Sequence, residues 1–370
     1  PIGILPTLQE EDLQASAISD VPRYRALSAS IRRLRHCPFL IQIDGLEPLT
    51  LTCDDVTLEG ANTSFQVHLR VPPCSFARVY NAAQMVTPIA LALGANSPIF
   101  LERQLWDETR VALFKQSIDC RPPQETISHQ PARVSFGNEW VREGAFELFA
   151  EAVNNHPPLL PIVGKESPLE CLCQGILPRL DELRLHQGTV WRWNRAIYDP
   201  AVGGHLRIEL RALPAGPTPQ DMVANAAFLV GMALGLQSEV DGLLPYFPFE
   251  AAHRNFYRAA QQGLDAVLLW PNEDLSSPRE ISAYELAWDL LPVAERGLTD
   301  IGVRETEIRR MLDTIRARII SRITPARWQR QVLEYAGRRM SRSEALARML
   351  KVYLEEIHRG KPITEWSLEA

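Results

Sequence analysis

Apolar and polar positions alternate without a break through NTSFQVHLRV. Phe65, Val67, Leu69 and Val71 fall on one side, and Ser64, Gln66, His68 and Arg70 on the other. A period of two predicts a strand with one face in the core. The same alternation returns in HLRIELR, where Leu206, Ile208 and Leu210 interleave with His205, Arg207, Glu209 and Arg211. VWRWNRAIYD predicts a third strand, joined to the second through Asp199-Pro200 and Gly203-Gly204. FLIQIDGLEPLTLTCDDVTLEG holds two more around the turn-forming Asp44-Gly45.

Other segments follow helical spacing. LQEEDLQASAISDVPRYRALSASIRRLR repeats apolar residues every three or four positions, with a break at Pro22. CSFARVYNAAQMVTPIALALGAN predicts a helix that ends between Gly94 and Pro98, and EGAFELFAEAVNN a second. PTPQDMVANAAFLVGMALGL opens with Pro and Thr in first-turn positions and is apolar enough to be a buried helix. PIGILP reads as a short buried strand of Ile2, Ile4 and Leu5 stopped by Pro6, and 121–140 as a Pro-rich loop across one end of the sheet. From Phe249 the pattern is almost wholly helical. The fold class is therefore α+β, with a strand-bearing region at 1–248 and a helical region at 249–370 packed on the same domain.

At 370 residues and 46% apolar, the chain can bury a large core. A formal charge of −6 and a pI near 5.8 exert no general pull on polyanions. The Arg-rich stretch IRRMLDTIRARIISRITPARWQRQ lies next to Glu305 and Glu307 and contains Asp313, and reads as an amphipathic helix pair with solvated charges, so no nucleic-acid partner is expected. No apolar run reaches the roughly 18 residues of a membrane span, and the first residues lack the marks of a signal peptide. Six cysteines are too sparse for a disulfide framework, and Cys171 and Cys173 form only a C-x-C, read as free thiols. The cytoplasm is the expected compartment. The chain opens on Pro1 in what reads as a buried strand, so a longer polypeptide is expected. Self-association into a homo-oligomer is compatible with the sequence.

Two readings of the polar rows stand side by side. Gln66, His68 and Arg70 either face solvent or face a polar ligand, since Arg offers a bidentate fork while Gln and His donate or coordinate. Arg207, Glu209 and Arg211 either pair among themselves as a surface ladder or divide the work, the carboxylate holding a divalent cation and the arginines holding anions. Trp191 and Trp193 read as core, and Arg195 beside them as a ligand candidate. Arg103 and Arg110, taken singly, read as solvated charges.

The order GILPTL, NTSFQVHLRV, PIALALGANSPIFLERQLWDETR, VWRWNRAIYD, HLRIELRALPAG and NAAFLVG resembles the bacterial carboxylate–amine ligases of the glutamate–cysteine ligase type 2 group. It is similar, more distantly, to plant glutamate–cysteine ligase. The resemblance runs from Pro1 to about Gly263 and more loosely to RWQRQVL and GKPITEW. It implies a glutamine-synthetase-like catalytic fold, a curved and largely antiparallel sheet holding ATP, Mg ions and an acidic substrate on its concave face, with helices outside. It implies a reaction too: ATP phosphorylates a carboxylate, most readily the γ-carboxylate of glutamate, and an amine such as that of cysteine displaces the phosphate. By motif, Glu209 matches the metal-binding glutamate and Arg211 an anion-binding arginine. Gln66 stands at a metal- or phosphate-facing position, with His68, Arg70 and Arg207 beside it along a nucleotide cavity. Arg110 and Arg195 match arginines placed for phosphate or substrate carboxylate. The family's earlier Glu-x-Glu strand, a source of further metal carboxylates, would precede Pro1, and a cleaved but associated N-terminal fragment is a candidate partner. A different amine acceptor, phosphotransfer, and a nucleotide-binding module without turnover are the alternatives.

Overall fold

The computed structural model describes residues 1–122, 131–272 and 277–368. The two alternating strands found in the sequence pair with each other. Val67–Val71 and Asn194–Asp199 flank His205–Leu210 in a three-stranded antiparallel sheet, the largest among the described residues. Its register sets His68 and Arg195 on either side of Glu209, and Arg70 and Ile197 on either side of Arg207. Directly opposed residues project from the same face, so His68, Arg70, Arg195, Arg207 and Glu209 share one surface.

Beneath the other face lies the helix Phe76–Gly94, buried almost throughout from Val79 onward. Three of its polar residues bond to the sheet: Tyr80 Oη donates to the Asn194 carbonyl at 2.9 Å, and Asn194 Nδ2 donates to Gln84 Oε1 at 2.6 Å and Thr87 Oγ1 at 3.0 Å. These bonds lock the helix to the edge strand, because a buried donor left unmade would cost about 1–3 kcal/mol. The Pro219–Leu236 helix, capped by the Thr218 hydroxyl and begun by Pro219, packs beside it. A Cβ at Gly235 would collide with the Val293 carbonyl, so this helix and Leu291–Asp300 touch backbone to backbone. One hydrophobic core runs from Ile4 to Ile319, and a second cluster gathers Trp328, Tyr353 and Trp366 from the C-terminal helices.

Mixed helix and sheet with small antiparallel sheets agrees with the α+β class. The hairpin Phe39–Ile43 and Leu49–Cys53 turns where the Asp44-Gly45 signal placed it. Three expectations change. Ile2 to Leu5 do not form a strand; Ile4 is buried while the backbone turns, held by Gly3 N–H to the Asn96 carbonyl at 3.2 Å. The region after Phe249 is not wholly helical, since Val267–Trp270 and Arg279–Ser282 form an antiparallel pair. In the Arg-rich stretch, Arg309 and Arg316 pair with acids one turn away, but Arg318 is fully buried and donates to Asp221 at 2.7 Å and Asn225 at 2.6 Å. No single described helix is long and apolar enough to cross a membrane.

Candidate functional site

Above the polar face of the sheet opens a cavity of about 960 Å³, within the range of small-molecule sites. Arg195 and Glu209 line it from the strands, and Gln66 and Arg211 from the positions immediately flanking strand ends. The opposite wall comes from the N-terminal segment and the helix Pro22–Arg35, through residues such as Leu8, Asp12, Arg23 and Tyr24, with Glu59 from the short turn Thr57–Ala61.

Glu209 is the centre of the arrangement, its side chain only 5% exposed. Its Oε2 accepts from Arg195 Nε at 2.7 Å, His68 Nε2 lies 3.4 Å from its Oε1, and Arg211 Nη1 lies 3.8 Å from Oε2. Arg195 is held from behind as well, donating Nη1 to the Gln187 carbonyl at 2.9 Å. Burial, reinforced by the neighbouring Arg195 charge, draws the Arg211 guanidinium down to about 10, with Glu209 pulling the other way. The same burial lowers His68, opposed by Glu209 and assisted by the surrounding arginines. One carboxylate thus serves two guanidiniums, and the excess positive charge favours an anionic ligand.

The Arg-Glu-Arg row does not act as one ladder. Arg207 turns away from Glu209 to Asp199 at 3.0 Å, and the two line a recess of about 180 Å³ beyond Arg195. Arg70 is exposed, has no ion pair among the described residues, and does not line the cavity. Arg110 is neither a solvated charge nor a cavity residue. It is buried, donating Nε to Glu108 at 2.9 Å and Nη2 to the Ala212 carbonyl, with its guanidinium 5.4 Å from the Trp193 ring centre. Burial raises the Glu108 carboxyl, and Arg110 is the first of the groups that pull it back. Trp193 is core, whereas Trp191 is half-buried and borders the cavity. Of the loop 121–140, 123–130 lie outside the described residues, and the described part does not line the cavity.

Sequence reasoning missed Glu59, Asp12 and Arg23. Each sits in a segment with an ordinary turn or helix pattern, and only tertiary folding carries it to the cavity. For a metal, the donor chemistry is unfavourable: Glu209 is already engaged by cations that would repel another, and among the described residues no three His, Cys, Asp or Glu side chains gather as a metal site. Glu209 and Gln66 by themselves therefore do not fit a resident Mg. A nucleotide phosphate or substrate carboxylate fits Arg195 and Arg211.

No curated protein matches the chain. A sequence model described as glutamate-cysteine ligase family 2 matches residues 2–352, nearly its whole length. The chain therefore belongs to glutamate-cysteine ligase family 2 and is, in general terms, a carboxylate–amine ligase.

Proposed function

We propose that the chain is an ATP-dependent ligase that joins the γ-carboxylate of glutamate, or of a similar acid, to an amine such as that of cysteine. The frame proposed is glutamine-synthetase-like. The observation that carries the reading is the pair of cavity guanidiniums, Arg195 and Arg211, sharing the single carboxylate of Glu209.

A carboxylate oxygen of the acid attacks the γ-phosphorus of ATP, giving an acyl phosphate and ADP. The amine nitrogen then attacks the acyl carbon, loses a proton, and expels inorganic phosphate as the amide forms. Both steps develop negative charge on phosphate oxygens, and planar guanidiniums meet such oxygens with two parallel N–H donors. Arg195 supplies such a fork to the phosphoryl oxygens, and Arg211 beside it offers one to a carboxylate of the acid. Glu209 is a positioning residue, because its bond to Arg195 Nε fixes the direction in which that guanidinium presents its remaining donors. ATP arrives with Mg in solution; the described residues hold the anions. The partners proposed are small molecules, and the compartment a reducing cytoplasm, in keeping with six free cysteines.

Incubation with ATP, Mg, glutamate and a panel of amines is expected to release ADP and phosphate in an amine-dependent way, with the amide identified by mass spectrometry. The absence of amine-dependent ADP across the panel overturns the reading. The poor metal donor set favours one second reading, a module that binds nucleotide without turnover, which calorimetry reports as ATP binding without hydrolysis.

A further inference from the structure

The cavity holds one carboxylate that the arginine cluster does not use. Glu59 lies in the turn Thr57–Ala61 and lines the same cavity as Arg195, Glu209 and Arg211. Its side-chain oxygens accept no hydrogen bond and form no ion pair among the described residues, although its backbone carbonyl accepts from Asn62. The residue is exposed and open to the solvent of the cavity. Desolvation by the neighbouring protein pushes its carboxyl up, and the Arg211 guanidinium pulls it back. Glu209 is spent on Arg195, with His68 and Arg211 close by; Glu59 is not spent.

A free anion and a partly uncompensated cation on one cavity surface match a zwitterion. We propose that Glu59 and Arg211 clamp the head group of an amino-acid substrate, Glu59 receiving its α-ammonium and Arg211 its α-carboxylate. Charge-assisted hydrogen bonds of this kind are about twice as strong as neutral ones, and of the described carboxylates lining the cavity Asp12 accepts from the Gln9 N–H and Glu209 from Arg195, which leaves Glu59 for the ammonium. A clamp of opposite charges also discriminates by omission. A ligand without the amine leaves Glu59 facing Arg211's field with no partner, and the loss of one such bond costs about 1.5–3 kcal/mol, or tenfold and more in affinity. The inference rests on the ligase reading for its substrate class, while its test does not depend on turnover.

Calorimetric titration of the full chain with glutamate and with glutarate, the same dicarboxylate lacking the amine, reads the clamp directly. Wild type is expected to bind glutamate at least about tenfold more tightly than glutarate. Glu59→Gln keeps the shape, removes no structural partner, and is expected to bring the two affinities within about twofold, with glutarate binding little changed. A preference that survives Glu59→Gln overturns the assignment, as does a wild type that binds glutarate as well as glutamate or binds neither. Amine-dependent ADP release, measured on the same wild-type protein, is a separate readout. ADP release without a Glu59-dependent preference sinks the clamp and leaves the ligase reading standing; the preference without ADP release does the opposite.

Discussion

Glu209→Gln separates the positioning role from mere surface pairing. A solvated ion pair would contribute only about 0–1 kcal/mol, and its loss would barely register. The burial of Glu209, with Arg195 at 2.7 Å and Arg211 at 3.8 Å, sets a different scale. Removing one partner of a buried pair costs about 3–5 kcal/mol, because the remaining charge stays desolvated. Two features reduce that figure here. Gln keeps an oxygen that still accepts from Arg195 Nε, and both guanidiniums border a cavity that admits water. About 2 kcal/mol remains. For a chain of 370 residues each kcal/mol shifts the melting temperature by only about 1.3 °C, so a fall of about 2–3 °C is expected. Turnover is expected to drop by at least about 10²-fold, close to 2.7 kcal/mol of transition-state stabilisation, because the neutral amide holds Arg195 through a weaker, uncharged bond and so loosens the donors aimed at the phosphoryl oxygens. Scanning calorimetry and amine-dependent ADP release on one preparation give both numbers. An active Glu209→Gln protein refutes the positioning role, and an unchanged melting temperature refutes the burial-based magnitude.

Arg110→Leu leaves Glu108 fully buried without its guanidinium and is expected to lose about 3–5 kcal/mol in urea denaturation, with activity per folded molecule near wild type. Arg70→Ala removes an exposed side chain with no ion pair among the described residues, so stability is expected to stay within about 0.5 kcal/mol and KM for ATP within about twofold. His156 sits at a pKa of about 3 against an ordinary 6.5, chiefly because it is buried and then because of Arg133, so unfolding takes up a proton between those values. Its contribution is whole above about pH 6.5 and drains as pH falls toward 3. His156→Asn is expected to flatten the fall of melting temperature over that acid window, and an equally steep fall would show that other groups carry it.

Much of the scaffold was legible because local patterns report local geometry. Alternation in Phe65 to Val71 and Leu206 to Leu210 identified two strands and their polar faces, and those faces share one side of the sheet. Asp44-Gly45 marked a hairpin, and the spacing from Phe76 to Gly94 a buried helix. The pair at Val267–Trp270 and Arg279–Ser282 escaped because its strands are four residues each, too short for alternation to stand out against helical neighbours. Ile2 to Leu5 misled because apolarity reports burial, not backbone conformation, and here a turning segment is buried at Ile4.

Charge partners marked the limit of sequence reading. Which residues are cationic or anionic is written in the chain, and so is the face of a strand each occupies. Whether Arg207 pairs with Glu209 beside it or with Asp199 on the next strand depends on strand order, which periodicity does not encode. Arg110 reads as a surface arginine until Glu108 and the Ala212 carbonyl close around it, and Arg318 until Asp221, nearly a hundred residues earlier, meets it in the core. The sequence by itself determined the class of fold, the family and the rows of polar side chains, since these follow from short-range pattern and motif order. Only the tertiary structure decided that Glu209 is buried among cations and that Glu59 faces the same cavity with no side-chain partner among the described residues. Electrostatic energy depends on distance and desolvation, and both are set by segments far apart in the chain.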